Sequence, residues 1–251
     1  MTLLDTPSRP RSAGNHRRSL LAALAGAALM ALAGIQAPAE AASVSSLTIG
    51  ETNTTVLYFS GQIIAGDLAR LQTEVDRVPA GQKMVLTLES PGGLVAEGIS
   101  IGRYVHQRRM PTYVIAGNNN SGGCHSACTF IFLAGRDQVT GDPLRIMTSG
   151  ARVGFHQVVL GGLQAGQTFS AADVAAVSGF SQDSIRMIDT YFRDIQANPE
   201  FLTLVLSAPN SSITLLRELD ALRLGIFIMD PSTQKLVMPD QFKQPAAAPR
   251  R

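Results

Sequence analysis

The run Met84-Val85-Leu86-Thr87-Leu88, cut off at once by Ser90-Pro91-Gly92-Gly93, constrains this chain more than any other stretch. A strand that is apolar at nearly every position, rather than at every second one, has to be covered on both faces. Helix-period segments stand on either side to supply that cover: Leu68, Leu71, Val75 and Val78 before it, Leu94, Gly98, Ile101 and Val105 after it. The alternation extends in both directions. Val56-Leu57-Tyr58-Phe59 reads as a strand ended by Ser60-Gly61, and Thr112-Tyr113-Val114-Ile115-Ala116 as another. A turn-rich loop over 118–123 then leads to a helix from about Ser126 to Ala134, closed by Gly135. Ala151-Arg152-Val153-Gly154-Phe155 is a further short strand. Beyond it lie a glycine-rich loop, a long helix with Ile185, Ile188, Phe192 and Ile195 on one face, a helix opened by Pro199, and a helix carrying Leu215, Leu216, Leu219 and Leu222. Gly225 stops this last helix before the strand Ile226-Phe227-Ile228. Strands alternating with helices imply an α/β domain with a mainly parallel sheet flanked by helices. In such sheets chemistry collects beyond the carboxyl ends of the strands, where Gly92-Gly93, Ser126 and His156 all fall.

The flanks read differently. Arg9, Arg11, Arg17 and Arg18 precede an uncharged stretch from Ser19 to Ala39, followed by the small-residue pattern Ala39-Glu40-Ala41. A basic start, an apolar middle and an A-x-A end predict a secretory signal peptide over 1–41, with an uncleaved membrane anchor as the alternative. The paired arginines also touch on a twin-arginine signal. Residues 42–55 are small and polar and read as a linker, 56–230 as the folded domain, and 231–251, ending Pro-Ala-Ala-Ala-Pro-Arg-Arg, as a disordered tail. The formal net charge is +2, and the four arginines and two acids before Ala42 account for all of it. A balanced remainder argues against nucleic acid as a partner, because phosphate recognition needs a basic excess. The predicted location is the periplasm or another exported compartment.

Export changes how Cys124 and Cys128 read, since outside the cytoplasm a pair of cysteines favours a bridge. Their spacing of four suits one, with two buried free thiols as the alternative. The set Cys124, His125 and Cys128 matches no usual zinc pattern, so no metal is expected. Between the cysteines stands Ser126, at a helix start where free amides favour developing negative charge. Serine attack on a carbonyl needs a base, oxyanion donors and a group that holds the base in its tautomer. His156 can supply the base, with His106 and His125 equally available on paper. The amides of Ala127 and Gly93 can supply the donors. The duller readings are that Ser126 caps its helix and Gly92-Gly93 only turns the chain. No G-x-S-x-G surrounds the serine.

Four blocks, "VLYFSGQIIAGDLARLQ", "MVLTLESPGGLVAEGISIGRYV", "CHSACTFIFLAGRDQ" and "ARVGFHQVVLGG", followed by "ELDALRLGIFI", resemble in order and spacing the proteolytic subunit of Clp protease. The likeness runs from Val56 to Ile228 and is similar to a periplasmic branch of the Clp/crotonase superfamily. It implies that superfamily's fold, with a helical handle-like excursion over Ala171–Ala197. It also implies Ser126 as nucleophile, His156 as base, Gly93 and Ala127 as oxyanion amides, and a homo-oligomer. The family's aspartate should fall in Ser207-Ala208-Pro209-Asn210, where no carboxylate stands; Asn210 or Ser207 could orient the imidazole instead.

These readings together point to an exported serine peptidase that cleaves peptides or unfolded segments, with no cofactor and no ATPase partner. A binding protein that kept the cleft but lost its acid is one rival. Acyl-thioester chemistry of the crotonase kind is the other.

Overall fold

The chain divides into two units, Met1–Ala39 and Glu40–Arg251. The computed structural model describes residues 41–117, 122–157, 171–209 and 212–239, with the backbone alone over 171–181. The signal peptide expected over 1–41 therefore falls almost wholly outside the described residues. In chain order the elements are β1 (Ser43–Ile49), β2 (Thr54–Ser60), α1 (Asp67–Asp76), β3 (Lys83–Glu89), α2 (Val95–Gln107), β4 (Thr112–Val114), β5 (Cys124–His125) and α3 (Ala127–Leu133). They continue with β6 (Arg145–Thr148), β7 (Val153–Phe155), α4 (Ala171–Asp194), α5 (Glu200–Ser207), β8 (Thr214–Leu215), α6 (Glu218–Arg223), β9 (Phe227–Met229) and β10 (Leu236–Val237). The architecture is mixed α/β. A seven-stranded sheet runs β1-β2-β3-β4-β6-β9-β10, and a three-stranded one runs β5-β7-β8. Every inner pairing of the large sheet, from β2 through β9, is parallel, and only its two edge strands run antiparallel.

The core follows from the apolar patterning. In β3, Leu86, Thr87 and Leu88 are all buried, so neighbouring residues on opposite faces are both covered. Helix α3 is buried at all seven of its residues, as a helix apolar all round should be. It packs so closely on α2 that a β-carbon at Gly98 would stand 2.7 Å from the Ala127 carbonyl oxygen. Ile188, Tyr191, Phe192 and Ile195 pack from the end of α4 and the residue beyond it, and the Tyr191 hydroxyl donates to the buried Phe130 carbonyl at 2.6 Å. Ile185, expected on the same buried face, is 40% exposed.

Three expectations are corrected, and one strand was not expected at all. The linker over 42–55 contains β1, because all seven of its residues pair with β2; the ladder is built on backbone bonds, which small polar residues make as well as apolar ones. The expected disordered tail over 231–251 contains β10, because Leu236 and Val237 return against β9, while 240–251 lie outside the described residues. Leu215 belongs to β8, not to the following helix, since its pairing with Gly154 outweighs the helical spacing. Finally β6, a central strand, had no sequence signal, since a run opening on an arginine does not read as buried.

Candidate active site

The turn between β5 and α3 is built around one residue in an unusual conformation. Ser126 has φ 54° and ψ −125°, a combination that residues with a β-carbon rarely adopt. Asn53, also at positive φ, sits in the ordinary left-handed well at φ 49°, ψ 45°. Strain of this kind costs on the order of 1–3 kcal/mol and persists only where the surroundings over-determine it. Three constraints do so here. The Ser126 amide donates to the Gly154 carbonyl of β7 at 3.0 Å, and the Thr129 amide and hydroxyl both return to the Ser126 carbonyl at 2.9 and 2.7 Å. A disulfide joins Cys124 to Cys128 across the serine, with both cysteines fully buried. The expected bridge is therefore present, and neither sulfur is free to ligate a metal. Among the described residues no cluster of His, Cys, Asp and Glu suits one.

The serine side chain makes no capping bond to α3, which removes the reading of Ser126 as a helix cap. Strand, sharp serine turn and helix are the arrangement that aims a nucleophile out of a sheet edge, here without the G-x-S-x-G pattern. The room such a turn needs comes from glycines elsewhere. A β-carbon at Gly92 would lie 2.6 Å from the Ser126 β-carbon, and one at Gly154 would lie 2.7 Å from the His125 Nδ1. Gly93, next to Gly92, has its neighbours tied to Ile63: the Ile63 amide donates to the Gly92 carbonyl and the Leu94 amide to the Ile63 carbonyl. In a parallel bridge of this kind the Gly93 amide itself points the other way, and among the described residues it donates to no protein acceptor. Ala127 is the first residue of α3, where an amide has no intrahelical partner. Its nitrogen lies 3.1 Å from the point a Gly92 β-carbon would occupy, which sets it beside the Gly92–Gly93 turn.

β5 runs parallel to β7 with His125 opposite Gly154, which carries Ser126 and His156 out of adjacent strands at one edge. His156 is half-buried, and its Nδ1 lies 2.5 Å from the Gln157 carbonyl oxygen. That partner was not among those the sequence suggested. Ser207 closes α5 and makes no side-chain hydrogen bond among the described residues, and Asn210 lies outside them. The other histidines have different surroundings. His106 accepts from the Arg136 Nε at 3.0 Å; burial, then Arg136 and Arg145, push its pKa down to about 4. His125 adjoins the serine, with its Nδ1 buried and unpartnered among the described residues; burial, then Arg152, lowers its pKa. Its ring borders a cavity of about 380 Å³ that also meets Gly61, Glu89, Pro91, Gly123 and Arg152.

No family model and no curated protein matches the chain. Among solved structures it is similar to a mutant of the 1510-N membrane-bound stomatin-specific protease, at 17% identity over 72% of this chain and 89% of that one, with a TM-score of 0.46.

Proposed function

We propose that the protein is an exported serine peptidase of Clp/crotonase type, with Ser126 as nucleophile and His156 as general base. The observation that carries this reading is the strained, uncapped Ser126 at a strand–helix turn beside Gly92-Gly93, with the amides of Gly93 and Ala127 donating to no protein acceptor among the described residues. In the proposed reaction the Ser126 Oγ forms a bond to the substrate carbonyl carbon while its proton passes to the His156 Nε2. The two amides take the oxyanion. Collapse expels the amine, which receives that proton, and water then releases the acyl group from the serine. The Cys124–Cys128 disulfide supports export, because such bonds persist in oxidising compartments. Among the described residues no helix is long and apolar enough to cross a membrane. Peptides or unfolded segments as substrates, independence of any ATPase, and assembly of several copies belong to the same proposal.

One observation favours a second reading, a binding protein with little or no turnover. The only partner of the His156 Nδ1 among the described residues is a neutral carbonyl, which stabilises an imidazolium less than a carboxylate does. Reaction of the folded, oxidised protein with a fluorophosphonate probe decides between them. The peptidase reading requires labelling of wild type that Ser126→Ala abolishes and His156→Ala slows by at least about a hundredfold. An unlabelled wild type leaves the binding protein.

A further inference from the structure

We propose that Gln157 is the positioning residue for His156, taking over through its main chain the orienting task usually given to a carboxylate. This rests on the peptidase reading above. A carbonyl oxygen can only accept, so at 2.5 Å the His156 Nδ1 must donate to the Gln157 carbonyl. That contact fixes the tautomer with the proton on Nδ1 and leaves the Nε2 lone pair free to take a proton from serine. A main-chain acceptor orients a ring only if it is itself held. The Gln157 side chain does this by donating its Nε2 to the Leu206 carbonyl at 2.8 Å. Leu206 lies in the last turn of α5, where carbonyls have no intrahelical donor, so the glutamine fills a vacancy that the helix end creates.

The same helix holds the chain on the other side of the histidine. Phe155 stacks on Phe201 of α5 at 6.1 Å between centroids, and both rings are buried. His156 is thus suspended between two attachments to one helix, an aromatic contact before it and an amide tether after it. α5 is itself seated in the core through Phe201 and Val205. The absent aspartate is replaced in its geometric role and not in its electrostatic one: the ring is aimed, but among the described residues no carboxylate bonds to it.

The test uses the full, oxidised chain and Gln157→Met, which keeps side-chain length and removes the tether. Fluorophosphonate inactivation is resolved into its limiting rate and its half-saturating concentration, and the His156 ring protonation is read by 15N NMR of histidine-labelled protein. The expected result is a limiting rate about tenfold or more lower, with half-saturation within about twofold. The NMR should show the proton on Nδ1 in wild type and a redistributed tautomer in the variant. A purely structural role would not separate rate from saturation in this way. Wild-type kinetics in Gln157→Met, or a wild-type ring with its proton on Nε2, overturns the proposal. If wild type never labels yet its ring carries the Nδ1 proton and Gln157→Met releases it, the peptidase reading fails and the positioning of the ring stands.

Discussion

Replacing Ser126 by glycine should stabilise the protein while removing its proposed nucleophile. The backbone at φ 54°, ψ −125° crowds a β-carbon, and glycine reaches that conformation without steric cost. Relief of the strain is worth about 1–3 kcal/mol. Against it stands the greater freedom of glycine in the unfolded chain, about 0.5–1 kcal/mol. Little else is lost, because the serine hydroxyl makes no hydrogen bond among the described residues and the bonds at this residue are main-chain. The net expectation is a gain of about 0.5–2 kcal/mol. For a unit of about 200 residues each kcal/mol raises Tm by roughly 2–4 °C. Ser126→Ala is the reference, since it keeps the β-carbon and hence the strain, and should stay within about 0.5 kcal/mol of wild type. Urea unfolding of the three oxidised proteins measures the difference. A Ser126→Gly protein less stable than Ser126→Ala would mean that the turn is relaxed as it stands, and the argument from strain to site would fail.

Three further expectations are independent of that one. Closing a loop of about five residues, the Cys124–Cys128 bond should contribute about 2 kcal/mol, so reduction or the double change to alanine should lower Tm by about 4–8 °C, and no shift in melting would remove the brace. Gly98→Ala, which in a solvent-facing helix would gain stability, should instead lose about 1–2 kcal/mol through the close approach to Ala127 seen in urea titration; a gain would show that α2 and α3 can part freely. His106, held at about 4 in the fold against 6.5, favours its neutral form there, so its contribution is complete above pH 6.5 and fades as pH falls toward 4. With solvent screening allowed for, the loss is on the order of 1 kcal/mol, and His106→Gln should flatten that slope in denaturation series between pH 7 and pH 4.

What could be read from the residues, and what could not, divides along physical lines. β3 and α3 were legible because burial on all sides demands unbroken apolar runs, which few other structures tolerate. β6 was not, because Arg145 is 2% exposed at the start of a four-residue strand, against every patterning expectation. β1 and β8 are held by backbone pairing that leaves little imprint on side chains. At the candidate site, Ser126, His156, Gly93 and Ala127 stand out in the sequence as candidates, but the conformation of Ser126 does not, since its space is made by Gly92 and Gly154 from other strands and loops. Gln157 left no signal at all, because its contact with the histidine is through a carbonyl that every residue possesses.

The disulfide has a consequence for how the molecule matures. These are the only cysteines in the chain, so oxidation within a single molecule has one product and no scrambled isomers to correct. The partners are separated by four positions, so their meeting asks nothing of the distant strands that later build the sheet. The covalent staple can therefore precede long-range assembly, pre-shaping the segment around which the slower parallel pairings are laid down.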